Sequence, residues 1–174
     1  RQAVAVDDLS DGRLVLGLGA GWQDREHLNY GIPFYDWKTR YERFSDALEI
    51  SQRLLDQTEP VNFDGFHTSV KDAVLLPRPK RRPPMLIGGN GSKRTLPLAA
   101  RFADEWNAVF IDANGFDERN RRLTRLIEAA GRDPETVKRS VMLPLEWVEG
   151  DDAVEVVPKI RIPEGSATTH VALS

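Results

Sequence analysis

The residues best placed to do chemistry lie in two glycine-rich turns. In LVLGLGAGW, residues 14–22, Gly17, Gly19 and Gly21 follow a short apolar run. Glycine lets a backbone turn tightly and approach a ligand with no side chain in the way. Dinucleotide folds and methyltransferases both use such turns. The dinucleotide fingerprint needs a glycine at its sixth position, where Trp22 stands. It also needs an acid about 20 residues on, where Asp36 and Glu42 are available only by coincidence. A methyltransferase turn would carry an acid just ahead of the glycines, where Leu16 and Leu18 stand. A tight strand-to-loop corner without a ligand explains the same residues. In LIGGNGSKRTL, residues 86–96, Gly88, Gly89, Asn90 and Gly91 lead into Ser92, a good helix N-cap, with Lys93 and Arg94 beside it. Free amides at a helix start, together with the positive end of its dipole, favour a phosphate there. The spacing is not that of a Walker motif. An ordinary capped corner between strand and helix is the competing reading.

Little else in the chain offers a reactive group. His27, His67 and His170 are too scattered for a metal-ligand pattern. His67 reads as structural, whereas His27 could face a pocket above the strand ends. Trp22 leaves the ligand-facing end of the first strand, so Trp22 and His27 are the two cavity candidates, and no catalytic residue is assigned. Trp37, Trp106 and Trp147 read as core or pocket wall. No GxSxG elbow offers a hydrolase nucleophile. The sequence has no cysteine, which excludes disulfides, thiolate catalysis and cysteine-ligated metal within it. A cytoplasmic setting is the expectation.

The elements that must position these residues follow from patterning. Of 174 residues, 40% are hydrophobic and 29% charged, with net charge −3, so a soluble globular domain is expected rather than a nucleic-acid or membrane binder. Two basic clusters, one of Arg78, Lys80, Arg81 and Arg82 and one of Arg119, Arg121, Arg122 and Arg125, read as solvated faces. The opening RQAVAVDDLSDGR reads as the end of a helix entered in mid-course. Leu14 to Leu18 suits a strand buried on both faces. Tyr41, Phe44, Leu48 and Leu55 recur at helical spacing. NFDGFHTS predicts a small hairpin near 58–76 with its turn at Asp64-Gly65. Met85 to Ile87 predicts a strand, Ser92 to about Ala103 a helix, Trp106 to Ile111 a strand, Phe116 to Ala130 a helix closed by Gly131, and Val137 to Val148 a further strand. Pro97 would cost about 3 kcal/mol inside a regular helix, so either that helix kinks or its first turn is not α. Alternating strands and helices argue for a parallel α/β fold, and periodicity alone leaves open whether it is a doubly wound sheet or part of a barrel.

The run LSDGRLVLGLGAGWQDREHLNYGIPF resembles the mid-chain signature of the luciferase-like monooxygenase superfamily, in particular its branch of oxidoreductases dependent on coenzyme F-420. The order of later pieces agrees: an amphipathic helix, a hairpin of the form F-x-G-x-H, LPRPKRRPPMLIGGNGSKRTL, then RFADEWN, so the match spans residues 1 to about 140. The resemblance implies a partial TIM-type (β/α) barrel of about four to five of the eight units, with the N-terminal units missing. It assigns residues 1–150 to that barrel portion and 151–174, with Pro158 and Pro163, to a divergent or disordered tail. It places Gly19, Ala20 and Gly21 beside a tricyclic ring, turns Trp22 toward the cavity, and gives the phosphate to the backbone of Gly89, Asn90, Gly91 and Ser92, after Gly88. The implied reaction is hydride transfer between a deazaflavin, F-420, and a small-molecule organic substrate. Two alternatives stand beside it: an FMN-dependent monooxygenase using reduced flavin and oxygen, and a truncated noncatalytic remnant that binds a phosphate-bearing ligand. The open barrel edges favour association into a homo-oligomer.

Overall fold

The computed structural model describes residues 1–143 together with the backbone of the strand at residues 169–172. The expected end of a strand at Val148, Trp147, and the tail with Pro158 and Pro163 lie outside the described residues. The chain divides into two compact units, residues 1–85 and 86–174. No helix among the described residues is long and apolar enough to cross a membrane.

The first unit opens with helix α1 (Gln2–Leu9), strand β1 (Leu16–Leu18), helix α2 (Asp24–Asn29) and helix α3 (Trp37–Asp56). A hairpin of β2 (Val61–Asp64) and β3 (Ser69–Ala73) follows. Strand β1 is two residues shorter than the apolar run, and its residues alternate between half-buried and exposed rather than lying buried on both faces. Helix α3 is the amphipathic helix expected. Phe44, Leu48 and Leu55 are buried along one stripe, and Asp36 caps its start by accepting from the Lys38 and Thr39 amides.

The turn of the hairpin rests on α3 through a single carboxylate. Asp46, only 1% exposed, accepts hydrogen bonds from the amides of Phe66 at 3.0 Å, His67 at 2.7 Å and Thr68 at 3.0 Å. A Cβ at Gly65 would collide with that carboxylate, which makes glycine the residue that fits this turn. His67 adds a contact of 2.9 Å from its Nε2 to Glu42 on the same helix.

The second unit is built on parallel pairing. Strand β4 (Met85–Gly88) leads to helix α4 (Thr95–Phe102), β5 (Glu105–Val109), helix α5 (Ala113–Ala129), a short 3-10 turn at Pro134–Thr136, β6 (Lys138–Met142) and β7 (Thr169–Ala172). The β4–β5, β5–β6 and β6–β7 pairs are all parallel. Strand β7 falls within the region expected to be a divergent tail. Trp106 is fully buried and stacks on Phe116 of α5 at 5.5 Å, while Leu123 and Ile127 continue the buried face of that helix. Gly131 at φ 73° ends α5 as expected, its amide bonding Glu128 O while the Arg132 amide reaches Ile127 O. On the other face of β5, Asn107 donates to Ser140 Oγ at 2.8 Å, and Ser140 donates to Glu105 at 2.6 Å.

The start of α4 differs from the sequence expectation, and one residue explains it. Helix α4 begins at Thr95 instead of Ser92, so Ser92 is no N-cap. Pro97 then occupies the third helical position, where an amide has no partner within the helix and its loss is free of cost. The preceding residues form a turn that is not α.

Two consequences can be checked in unfolding experiments. Replacing Asp46 by alanine leaves three amides without their buried acceptor, and urea denaturation is expected to show a loss of about 3 kcal/mol. Asp36 titrates below its ordinary 3.8, held down first by the hydrogen bond from the Thr39 hydroxyl. A lowered carboxyl contributes stability that is present above the unfolded value and lost as pH falls through the folded one. The melting temperature of the native chain should therefore decline below about pH 4 more steeply than that of Asp36→Asn, whose neutral side chain caps at every pH.

Candidate functional site

In the first unit the glycine turn after β1 is held by one arginine. Arg40, on α3 and 8% exposed, donates from NH1 to Gly21 O at 2.7 Å. Its guanidinium lies 4.1 Å from the Phe34 ring centre and 4.2 Å from that of Trp37. Gly21 adopts φ 77°. A Cβ there would meet the His27 ring at 3.2 Å, so both the backbone and the space favour glycine. Gly19 faces open space, with nothing within 4 Å of a Cβ.

His27 is brought against this turn. Its Nδ1 lies 2.7 Å from Gln23 O; a carbonyl only accepts, so Nδ1 carries the proton and Nε2 of the neutral ring is an acceptor. The ring packs on Phe34 at 4.8 Å. His27, Leu28, Ile32 and Phe34 line an open cavity of about 700 Å³, with Asp24 and Arg25 also on its wall. Trp22 does not line it, and its side chain is 74% exposed.

In the second unit the turn after β4 has every one of its carbonyls from Gly89 to Ser92 bonded. Gly89 O accepts from the indole N–H of Trp106 at 2.9 Å. Asn90 O accepts from Arg119 Nε at 3.2 Å. Gly91 O accepts from the Leu96 amide at 3.0 Å and the Arg94 amide at 3.3 Å. Ser92 O accepts from Arg122 Nε at 3.0 Å. Four successive carbonyls are thus taken. The amides of Asn90, Gly91, Ser92 and Lys93 have no acceptor among the described residues. A peptide unit is planar and trans, so fixing one carbonyl aims the next N–H the opposite way.

The side chain of Asn90 is committed elsewhere. Its Nδ2 donates to Val109 O at 2.6 Å and its Oδ1 accepts from the Val109 amide at 3.0 Å, so it acts as one more rung against β5. Beyond that rung Phe110 takes φ 47°, an uncommon conformation for a residue other than glycine. Gly89 has φ 119°, and a Cβ at Gly91 would stand 2.8 Å from Thr95 Oγ1.

The reading of the basic clusters as solvated faces is corrected for Arg78, Arg81, Arg82 and Arg119, which are half-buried, whereas Lys80, Arg121, Arg122 and Arg125 are exposed as expected. Arg78 donates to Leu54 O and Leu55 O at the end of α3. Arg81 bonds Asp7 and Leu14 O, Arg82 pairs with Asp56, and Lys80 pairs with Asp8. Arg119 and Arg122 hold the second turn, whereas Arg121 pairs with Asp117 one helical turn away. The signal was present in the spacing: residues three apart share a face of a helix, and residues 121 and 125 share another. Arg40 carried no such signal. Groups of acidic residues and histidines able to hold a metal are absent among the described residues.

A family model described as luciferase-like monooxygenase matches residues 1–158. The F-420-dependent glucose-6-phosphate dehydrogenase of Beutenbergia cavernae is 35% identical over 107 residues, covering 62% of this chain and 30% of that protein. An F-420-dependent secondary alcohol dehydrogenase, solved with an F-420–acetone adduct, superposes with a TM-score of 0.72 at 20% identity, over 80% of this chain and 42% of that one. An EDTA monooxygenase from a Chelativorans species gives 0.69 at 21% identity, over 82% and 39%. These likenesses establish the fold: the parallel α/β elements are part of a TIM-type barrel. The chain spans less than half the length of the relatives it matches.

The need for glycine at residue 21 is directly testable. Gly21→Ala forces a left-handed backbone on a residue with a Cβ and presses it on the His27 ring. Urea unfolding should show a loss of about 2 kcal/mol, while Gly19→Ala, which meets open space, should show a much smaller one.

Proposed function

Because the chain belongs to the luciferase-like monooxygenase family, we propose that it serves an oxidoreductase in which a hydride passes between the deazaflavin coenzyme F-420 and a small organic substrate. The observation that carries this reading is the turn at residues 88–92, with four carbonyls bonded and the four following amides open. Such a donor set fits the cofactor's phosphate, since successive N–H groups in a turn form a concave anion site, here just ahead of the first residue of α4. Gly91 fits as well, because a side chain there would press on Thr95. Gly88 has nothing within 4 Å of a Cβ, which leaves room for close approach.

In the first unit, Gly19, Ala20 and Gly21 offer a surface nearly free of side chains, suited to a flat ring. Trp22 and His27 are the residues nearest that turn with groups that can stack or accept a proton. The ring supplies the hydride chemistry when bound, and the protein's part is to bind, orient and exclude water. The two F-420-dependent proteins named above support the deazaflavin. The similarity to a monooxygenase at nearly the same TM-score supports a second reading, an FMN-dependent monooxygenase using oxygen.

Titration of the purified chain with F-420 and, separately, with FMN, followed by ring fluorescence, tests the proposal. Saturable binding of F-420, weakened roughly tenfold or more by Gly91→Glu, is the expected outcome; that factor corresponds to about 1.4 kcal/mol. Binding of FMN alone would favour the monooxygenase reading. Binding of neither by the folded chain would overturn both and leave the noncatalytic reading.

A further inference from the structure

We propose that Arg119 and Arg122 are positioning residues of the second turn: by holding the carbonyls of Asn90 and Ser92, they aim the amides of Gly91 and Lys93 at the phosphate. The inference rests on the reading that this turn takes the cofactor phosphate, and it adds a role that composition and charge do not supply. Both arginines project from one face of α5, three residues apart. Arg119 Nε lies 3.2 Å from Asn90 O and Arg122 Nε 3.0 Å from Ser92 O. Arg119 is itself tied to its own helix by NH1 on Gly115 O at 3.1 Å. The other two peptide units of the turn are fixed from elsewhere, one by Trp106 and one by the start of α4.

The geometry follows from the peptide bond. In the Asn90–Gly91 unit and the Ser92–Lys93 unit, carbonyl and N–H point in opposite directions within one plane. A donor fixed on the carbonyl therefore fixes the N–H of the next residue, facing away from α5. Without the arginine, that plane is free to rotate and the amide loses its aim. Pre-aimed donors are worth more to a bound anion than donors that must be ordered on binding. Each arginine's charge also lies near the turn, so the test must separate aim from charge.

Glutamine and methionine make that separation. Both are uncharged and both are good helix formers, but only glutamine has an amide that can donate to the carbonyl. The quantity to measure is the affinity of the cofactor that binds, relative to the same ring and ribityl chain without phosphate, which for FMN is riboflavin. That ratio reads the phosphate turn and is unmoved by a general loosening of the protein. Arg122→Met and Arg119→Met should each lower it about tenfold, and the two glutamine variants should retain most of it. An unchanged ratio in the methionine variants overturns the inference. So does an equal fall in glutamine and methionine, which would assign the arginines to charge alone. Arg122 is exposed, so if Arg119→Met unfolds, the Arg122 pair decides. A ratio near one in the native chain overturns the phosphate reading itself, whereas a high ratio kept by every variant removes only the role of the arginines.

Discussion

A carbonyl at the end of a helix or strand must find a donor once the regular ladder stops, and in this chain that donor is repeatedly an arginine. Arg78 closes the end of α3, and Arg132 closes the end of α4 through Ala100 O and Ala103 O. Arg81 secures Leu14 O ahead of β1, and Arg40 secures Gly21 O after it. Arg139, pressed below its usual value by burial, donates to Pro134 O and Val137 O. A guanidinium suits this work because it is planar, always charged and carries donors in a fixed fork. Lysine, a single compact charge, would serve fewer of these places. The result is that corners between elements are held by side chains, most of them arriving from elsewhere in the sequence.

How much of this was legible beforehand depends on the range of the interaction. Helix α3 was readable because Phe44, Leu48 and Leu55 repeat at the period of the helix that they bury. The hairpin was readable because Asp64 and Gly65 mark where one short strand ends and the turn begins, and the end of α5 because Gly131 suits a left-handed residue. The start of α4 was half readable: Pro97 announced a conflict, and its position in the first turn resolves it. Asp46 was not readable at all. Its partners lie about twenty residues on in a different element, and an acid within an amphipathic helix reads as solvent-facing unless the chain folds back upon it. The same blindness hid the partners of Arg78, Arg81, Arg82 and Arg119.

The two turns differed in the same way. Their glycines marked both places, and the positive φ at Gly21 and Gly89 accounts for two of them. What the pattern did not distinguish was which glycines are forced by neighbours and which face empty space. Gly21 and Gly91 are crowded by His27 and Thr95, while Gly19 and Gly88 are not. A glycine that could sterically be an alanine, yet is not, is the stronger hint of something that approaches from outside.

The rung made by Asn90 has a bearing on how the protein ages. An asparagine followed by glycine is the pair most prone to lose its side-chain amide, because the small residue lets the next nitrogen attack. Here Nδ2 and Oδ1 are both tied to the peptide of Val109, which restrains the side chain from turning toward Gly91. Were the amide lost, a carboxylate oxygen would stand where Nδ2 now donates, 2.6 Å from the Val109 carbonyl. The donated bond would then give way to repulsion between two oxygens while the Val109 amide kept its acceptor, and the turn's anchor to β5 would be weakened. The fixity of one side chain is therefore a chemical safeguard as well as a structural one.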